Sequence, residues 1–457
     1  MSSATGSVVA FARDEAYDAA RGHALVRTLV DTVGVALPGA DSDTVATLVR
    51  WAETAPSPGG AAVWGRDDTV SASRAALLNG TAAHALDFDD ASPTSPLHAS
   101  AVLWPAVLAQ AGARGSTWPE VLEAVDVGQA VLRAILDVLP GDVHYARGWH
   151  STATVGRLGA IAALVRLGGL DDTTARHALG IGATLSSGLR RSFGSMSKPL
   201  HAGLAARDAV DAVGLALAGM TAGSDALDGP GGFLDVFGHP VHDAAIDERL
   251  AHWASAWPGD CSVKRYPSCY GTHRAVDAAL ALHARLGHDA AAATRVVVEI
   301  HPASLQPLVD HAPITPLEAK FSLEHTVATA LLDGDLALAS FTDDAVRRPA
   351  VVALRERVVV VPSNDPVGGP DLGGAGFARV GVEAVSGTDS VLVTITRGDA
   401  RDPLTDSELD AKLRACAAAA GWDDSDTETL LSALRAAGST TDTAPAFDAL
   451  RRAGGRR

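Results

Sequence analysis

The chain of 457 residues contains only three cysteines, at positions 261, 269 and 416. They form no CxxC pair and match no zinc-ligand spacing, so neither a disulfide framework nor a structural metal is expected. Because the cysteines need no oxidising compartment, a reducing cytoplasm is the expected location.

Long apolar runs and an excess of positive charge are also missing. No segment reaches the roughly 18 uninterrupted apolar residues that span a bilayer, and the start of the chain, MSSATGSVVAFARDEAYD, lacks the basic and apolar regions of a signal peptide. With 54 acidic against 37 basic residues, the net charge of -17 leaves no basic face for a nucleic-acid backbone. We therefore expect a soluble protein that binds neither membranes nor nucleic acid.

Lysine is scarce among the cations. Only four of the 37 basic residues are lysines, namely Lys198, Lys264, Lys320 and Lys412. Because arginine is the default cation of this chain, a lysine is expected where a compact ammonium that can lose its proton is needed. Lys412, on a predicted helix face, is expected to be a surface residue instead.

What the sequence does contain is helical periodicity, which dominates its first 260 residues. Helices are predicted over 14–37, 42–54, 71–85, 98–113, 119–138, 153–167, 173–189 and 199–220. Several are apolar nearly all round, which is typical of helices that are buried by other helices. The pattern predicts a large helical body.

The pattern changes after Cys261 and changes back near Pro403. Helices are predicted over 272–286, 321–332 and 344–355, and β-branched runs predict strands over 295–301, 357–362, 377–385 and 391–398. The last two strands are predicted to form a hairpin around SGTDS. We therefore predict a mainly α fold, in which residues 1–262 and 400–457 form a large all-helical domain and residues 263–399 form a smaller, inserted α+β lid domain.

The stretch NGTAAHALDFDDASPTSPLHAS, residues 79–100, is the densest group of chemically active side chains. It carries His84, three aspartates and His98, and aspartate and histidine are the residues that most often move protons near neutral pH. Helix capping and a structural core histidine are the alternative explanation. A magnesium site for a diphosphate is a weaker interpretation, because such helical enzymes have aromatic walls and this chain is only 5% aromatic.

Three further segments have compositions that suit a small anionic substrate. HYARGWHSTATVG places Tyr145 and His150 in a turn at a helix start, and SSGLRRSFGSMSKPLHAG combines backbone donors with arginines and Lys198. VKRYPSCYGTH lies at the predicted domain boundary, and clefts between domains are preferred binding sites. Each segment also has a structural explanation, as a cap, a glycine turn or a cleft-lining loop.

Taken together and in this order, the motifs resemble those of the MmgE/PrpD family, whose members include 2-methylcitrate dehydratase and cis-aconitate decarboxylase. The resemblance rests on NGTAAHALDFDD with His98 downstream, HYARGWHSTATVG, FGSMSKPLHAG, KRYPSC with TH, PLEAKFSLEH and PLTDSEL, between residues 79 and 409. It implies a helical domain with an α+β lid, a homodimer, and a reaction that uses neither a metal nor an organic cofactor.

The resemblance also implies an active site in the cleft, which we carry over residue by residue. The candidate catalytic residues are Asp87, His98, His150, Lys198 and Lys264. The candidate substrate-binding residues are Ala91, Tyr145, Arg190, Arg191, His201, Tyr266, Cys269 and His273. The chain departs from the family pattern at Ala91, where a threonine is usual, at Cys269, where some decarboxylases have a histidine, and at Ser151, which replaces a proline.

These residues suggest a cofactor-free lyase that acts beside a carboxylate of a di- or tricarboxylic acid. Arg190 and the two lysines would hold substrate carboxylates, His150 or Asp87 would remove an α-proton, and His98 would protonate a leaving hydroxyl or a carbanion. Dehydration of a hydroxy-polycarboxylate is our first hypothesis. Decarboxylation of a cis-aconitate-like acid and epimerisation at the α-carbon are alternatives, and a non-catalytic helical binding protein is the alternative from another class.

Overall fold

The chain is described here by a computed structural model, which covers residues 3–139, 143–238, 244–287, 289, 292–309, 311–369, 376–384 and 387–451. As predicted, the fold is mainly α. The helices before Cys261 are α1 (Ala4–Asp14), α2 (Gly22–Gly39), α3 (Asp43–Glu53), α4 (Ala72–His84), α5 (Ser100–Arg114), α6 (Trp118–Val138), α7 (Ser151–Gly168), α8 (Asp172–Leu185), α9 (Ser197–Leu217), α10 (Phe233–Phe237) and α11 (Ala244–Ala256).

The described helices after Cys261 precede, separate and follow the strands of a small sheet. They are α12 (His273–Leu286), α13 (Pro302–Leu305), α14 (Pro316–Ala319), α15 (Leu323–Asp333), α16 (Asp343–Arg347), α17 (Pro349–Arg355), α18 (Asp406–Ala419), α19 (Asp424–Arg435) and α20 (Ala444–Arg451). The strands are a two-stranded pair, β1 (Ala61–Ala62) and β2 (Thr69–Val70), and a four-stranded sheet, β3 (Arg295–Ile300), β4 (Val358–Pro362), β5 (Ala378–Ala384) and β6 (Gly387–Val393). Among the helices so described, none is both long and apolar enough to cross a bilayer.

Two predicted helices differ from the observed ones for local reasons. The first predicted helix begins at Gly22 rather than Asp14, because Asp18 caps a separate 3-10 turn over Ala19–Arg21. The helix predicted over 344–355 is divided into α16 and α17, since Arg348 takes the extended conformation that a following proline favours. The structure also adds α1, which the periodicity did not predict.

The four-stranded sheet has the order β4-β3-β5-β6. The β3 and β4 strands are parallel, whereas β3–β5 and β5–β6 are antiparallel, with Val298 aligned to both Val360 and Val380. The predicted hairpin is present, but its second strand was predicted too late: β6 begins at Gly387 and ends at Val393. Most of SGTDS therefore lies in the strand, because its backbone pairs with β5.

The two largest apolar cores of the described residues lie in different parts of the chain. The larger core is shared by helices of the first half of the chain and by leucines of the last helices, including Leu409, Leu413 and Leu430. The smaller core lies between α12, α15 and the sheet. The C-terminal helices thus pack on the N-terminal ones, while the domain boundaries at residues 262 and 400 stay predictions.

Close packing of α4 on α9 brings His84 and Lys198 together. A Cβ added at Gly80 would lie 2.9 Å from the Cα of Gly203, a distance that only glycine allows. Since the two helices approach this closely, the last residue of α4, His84, lies against the first turn of α9, which carries Lys198.

Candidate active site

The turn after α4 is held in an uncommon backbone conformation. Asp87 has a φ of 51° and is the one non-glycine residue with positive φ in the described part of the chain. Aspartate tolerates this left-handed conformation better than most residues, yet it needs support from its surroundings. The support comes from three lysines.

Each of these lysines bonds to Asp87 or to the residue after it. The Nζ of Lys198 lies 2.6 Å from Asp87 Oδ1, and the Nζ of Lys264 donates to the Asp87 carbonyl at 2.8 Å. The Nζ of Lys412 donates to the Phe88 carbonyl at 2.8 Å and lies 3.9 Å from the centre of the Phe88 ring. Three of the four lysines therefore contact the same turn, at Asp87 and Phe88.

The prediction that Lys412 is a surface residue was wrong. Its side chain is only 7% exposed and forms a 2.6 Å ion pair with the buried carboxylate of Asp31 in α2. Burial raises the pKa of Asp31 to about 6, although Lys412 opposes this shift. The second carboxylate oxygen of Asp31 has no hydrogen-bond partner within the described residues.

Asp87 remains ionised despite its burial. Burial alone would raise the pKa of its carboxyl group, but Lys198 and Lys264 outweigh this effect and lower the pKa below its ordinary value. Asp87 is therefore a poor base at neutral pH, and it serves to balance the charge of the two ammonium groups. Its Oδ2 atom has no partner among the described residues.

Two histidines share the carboxylate of Asp89. The Nδ1 atoms of His84 and His98 lie 2.9 and 3.2 Å from Asp89 Oδ2, and the His84 Nε2 atom lies 3.0 Å from the Nζ of Lys198. Burial lowers the pKa of His84 to about 4 and also lowers that of His98. Burial would raise the pKa of Asp89, but the two imidazoles lower it well below its ordinary value.

A third imidazole, His150, faces the same region from the start of α7. Its ring lies 6.0 Å from that of His84, and its Nδ1 lies 3.1 Å from Nδ1 of His201. Burial, and then Lys198, lower the pKa of His150 well below its ordinary value. Its Nε2 is buried without a partner in the described structure, so a neutral nitrogen is available to a substrate.

Apolar side chains close one side of this group. Lys198 Nζ lies 5.4 Å from the ring of Phe193 and 5.1 Å from that of Phe321, and Cys269 packs with both rings. Burial raises the pKa of Cys269 to about 11, which keeps it a thiol at neutral pH. Cys269 is thus suited to lining the site rather than to nucleophilic attack.

Several predicted substrate-binding residues lie around this group and already have partners. Ala91 is joined to Ser262 by two backbone hydrogen bonds of 2.9 Å, which place Lys264 beside Asp87. Arg190 stacks 3.7 Å from the centre of the Tyr145 ring and donates to the Tyr145 and Gln306 carbonyls. Its two terminal nitrogens are therefore engaged by the backbone.

The remaining predicted residues differ in how near they lie. His273 is close enough for Lys264 to contribute to lowering its pKa to about 3, after burial, and its Nδ1 has no partner in the described structure. Tyr266 belongs to the smaller apolar core, where its hydroxyl donates to Asp277. Arg191 is exposed. The structure thus brings together the five predicted catalytic residues and His201, but not Tyr266 or Arg191.

The candidate residues taken from the sequence omitted three site residues, His84, Asp89 and Lys320. Lys320 Nζ donates to the Pro267 carbonyl at 2.8 Å and lies 4.2 Å from the centre of the Phe341 ring, and burial lowers its pKa to about 7. The scarcity of lysine was the signal that could have identified it. Lys320 also lines a cavity of about 740 Å³ that includes Ala85 and Met196 but none of the five predicted catalytic residues, so the cavity lies beside the group.

The spacing of four donors would also allow a metal ion. One ligand atom from each of His84, Asp87, Asp89 and His98 lies within 4.8 Å of the others. However, Lys198 occupies both His84 and Asp87, and Lys264 lies 3.3 Å from Asp87 Oδ1. Because the two ammonium groups already at this site would repel a metal cation, this donor set does not fit a metal.

Comparisons with known proteins agree with the motifs. The sequence matches the MmgE/PrpD N-terminal domain over residues 7–243 and the MmgE/PrpD C-terminal domain over residues 266–434. It is 26% identical over 412 residues to a Homo sapiens protein named "Cis-aconitate decarboxylase", covering 87% of this chain and 84% of that protein. Proteins of the same name from Mus musculus and Aspergillus terreus are each 27% identical, over 403 and 407 residues, covering 85% and 84% of this chain and 81% of each relative.

Proposed function

The chain belongs to the MmgE/PrpD family, and on that premise we propose that it is a cofactor-independent lyase of small di- or tricarboxylic acids. Within this class we propose dehydration of a hydroxy-polycarboxylate as the reaction. We extend the proposal to a homodimer in the cytoplasm, as the family resemblance implies.

The observation that carries the proposal is the Nε2 atom of His150, which has no partner in the described structure and belongs to a ring close enough to Lys198 for that ammonium to help lower its pKa. A carbon acid beside a carboxylate loses its proton only if the resulting enediolate charge is stabilised, and fixed cations do this without any metal. Burial keeps the imidazole of His150 neutral, and its Nε2 has no partner in the described structure, whereas Asp87 Oδ1 is paired with Lys198 and Lys264. We therefore assign the base to His150 rather than to the ionised Asp87.

The proton for the leaving hydroxyl has to come from another group. His98 was our first hypothesis for this acid, but burial lowers its pKa, so it is neutral at pH 7. The ammonium of Lys198 belongs to the same group of buried side chains, carries three protons and donates one of them to Asp87. We therefore propose Lys198 as the proton donor and keep His98, whose side chain is 14% exposed, as a group that contacts the substrate.

Decarboxylation is the second candidate, and the names of the relatives favour it. In that reaction the carbon–carbon bond to a carboxylate breaks, carbon dioxide leaves, and Lys198 protonates the resulting carbanion. Ala91 stands where the family pattern has a threonine. Cys269 stands where some decarboxylases have a histidine. These two departures keep us from naming 2-methylcitrate as the substrate, and we place decarboxylation second because dehydration is the most general use of an acid and base pair on a hydroxy-polycarboxylate.

Proton NMR of the dialysed protein in heavy water tests both candidates with citrate, 2-methylcitrate and cis-aconitate. Dehydration of citrate gives a vinyl proton signal, and dehydration of 2-methylcitrate at its methyl-bearing carbon gives the signal of a methyl group on a double bond. Decarboxylation instead consumes cis-aconitate with release of carbon dioxide. Exchange of an α-proton without a new product would support an epimerase. Binding of these acids with neither exchange nor product would contradict the proposed lyase and support a binding protein.

A further inference from the structure

His84 is a buried residue for which the proposed chemistry has so far given no role. It is 1% exposed and ends α4, where the close contact of Gly80 with Gly203 fixes it against α9. Both of its ring nitrogens are bonded, one to a carboxylate and one to a cation. Because any buried imidazole needs hydrogen-bond partners, it is the identity of these two partners, and Lys198 above all, that points to a role.

The hydrogen bonds determine the tautomer of His84. An ammonium group has three protons and no lone pair, so the His84 Nε2 atom must accept from Lys198. The Nδ1 atom then carries the ring proton and donates to Asp89 at 2.9 Å. The lowered pKa of His84 agrees with this neutral form.

The same bonds account for two of the three protons of Lys198. One proton points to Asp87 Oδ1 at 2.6 Å and a second points to His84 Nε2 at 3.0 Å. The tetrahedral geometry of the ammonium then fixes the direction of the third proton. Phe193 and Phe321 flank the group and offer no strong acceptor for it.

We propose that His84 is a positioning residue, which holds the ammonium of Lys198 so that its third proton is directed at the substrate. Asp89 fixes the tautomer that makes this possible, and it also lies 3.2 Å from Nδ1 of His98, which donates to the Asp90 carbonyl at 2.9 Å. The inference rests on the proposed function in one respect, because it assumes that Lys198 donates to a carboxylic acid substrate.

Three substitutions at one position separate positioning from packing. His84→Gln can place an amide oxygen near the position of Nε2, whereas His84→Asn reaches Asp89 but not Lys198, and His84→Leu has no polar atom. We expect kcat to fall roughly 10- to 100-fold in His84→Leu and His84→Asn, by analogy with the loss of other orienting partners. We expect at least a tenfold recovery in His84→Gln, with KM changed less than kcat.

A matched control is available in the lid core, where His325 is also fully buried and bonds a backbone carbonyl. His325→Leu and His325→Gln should change the melting temperature but should not differ in kcat. Equal kcat in His84→Gln and His84→Asn would overturn the positioning role. If His84→Leu does not fold, the comparison of the amide variants still decides.

A readout that does not need turnover separates this inference from the proposed function. In protein labelled with nitrogen-15 at lysine, only four side chains contribute, and we expect the Lys198 ammonium protons to exchange slowly with water in the wild type and in His84→Gln. In His84→Asn they should exchange at least tenfold faster. Unchanged exchange would contradict the role of His84, whereas protected exchange with no turnover of any acid would contradict only the proposed function.

Discussion

The ion pair between Lys412 and Asp31 offers a prediction that connects stability to activity. Lys412→Met would leave the Asp31 carboxylate buried, 2% exposed and without its cation. Breaking a buried ion pair by removing one partner costs about 3–5 kcal/mol. Protonation of Asp31 would offset part of this cost, because burial already raises its pKa to about 6. We therefore expect Lys412→Met to lose about 3 kcal/mol of unfolding free energy or more.

Removing both charges should separate the two effects. In Asp31→Asn with Lys412→Met neither charge of this pair remains, so most of the lost stability should return, less about 1–3 kcal/mol for the Phe88 carbonyl that has lost its donor. The turn that carries Asp87 would still lack one of its three lysines. We therefore expect turnover to stay at least tenfold low in the double variant, although it is folded.

Urea unfolding followed by circular dichroism measures the stability, and the NMR assay measures the turnover. Arg414→Met is the matched control, because Arg414 lies on the same helix and forms an exposed pair with Glu428. Its loss should cost less than about 1 kcal/mol. A double variant with wild-type turnover would refute the idea that Lys412 holds the catalytic turn, and a fully stable Lys412→Met would refute the buried pair itself.

Three further outcomes are expected. Lys198→Met should abolish turnover while circular dichroism stays native; wild-type turnover would contradict the assignment. Gly203→Ala should lower the melting temperature, because the new Cβ would lie 2.3 Å from the Leu77 carbonyl, whereas Gly214→Ala on the same helix meets open space and should not. Acidification from pH 6.5 to 4 should destabilise the fold, because the unfolded state binds more protons there. Burial lowers the pKa values of three fully buried imidazoles to about 4, 3 and 4, namely those of His84, His273 and His325. Asp31 and Asp90, whose pKa values burial raises, oppose the trend, but burial also lowers the pKa values of four further imidazoles, those of His98, His144, His150 and His201. Unchanged unfolding midpoints in urea at pH 7 and 4.5 would contradict the prediction.

Much of the fold follows from patterns that are local in the sequence. Apolar periodicity predicted α4 through α9 within a few residues of their ends, because burial by neighbouring helices requires it. The second strand of the hairpin was misplaced because glycine, serine and aspartate in SGTDS are typical of turns, while pairing with β5 decided the outcome. Local propensity cannot describe a contact that another strand imposes.

The site could be predicted only where a motif was compact. The DFDD stretch drew attention to Asp87, and the family resemblance supplied His150 and Lys264. Lys412 was misjudged because its partners, Asp31 and the Phe88 carbonyl, lie 381 and 324 residues away in the chain. Its sequence neighbourhood on α18 is that of an ordinary surface helix, so only the packed structure shows what it contacts.

The convergence of the lysines also has a practical consequence for measuring how the molecule opens. A protease that cuts only after lysine has four target bonds in this chain, and each of these four side chains is buried or nearly so, whereas the arginines that trypsin recognises include exposed ones. The lysine-specific protease should leave the native protein intact until the structure around the turn at Asp87 and Phe88 unfolds locally. Its cleavage rate would therefore report the frequency of that opening, and a bound carboxylic acid that bridges the turn and the lid should slow it.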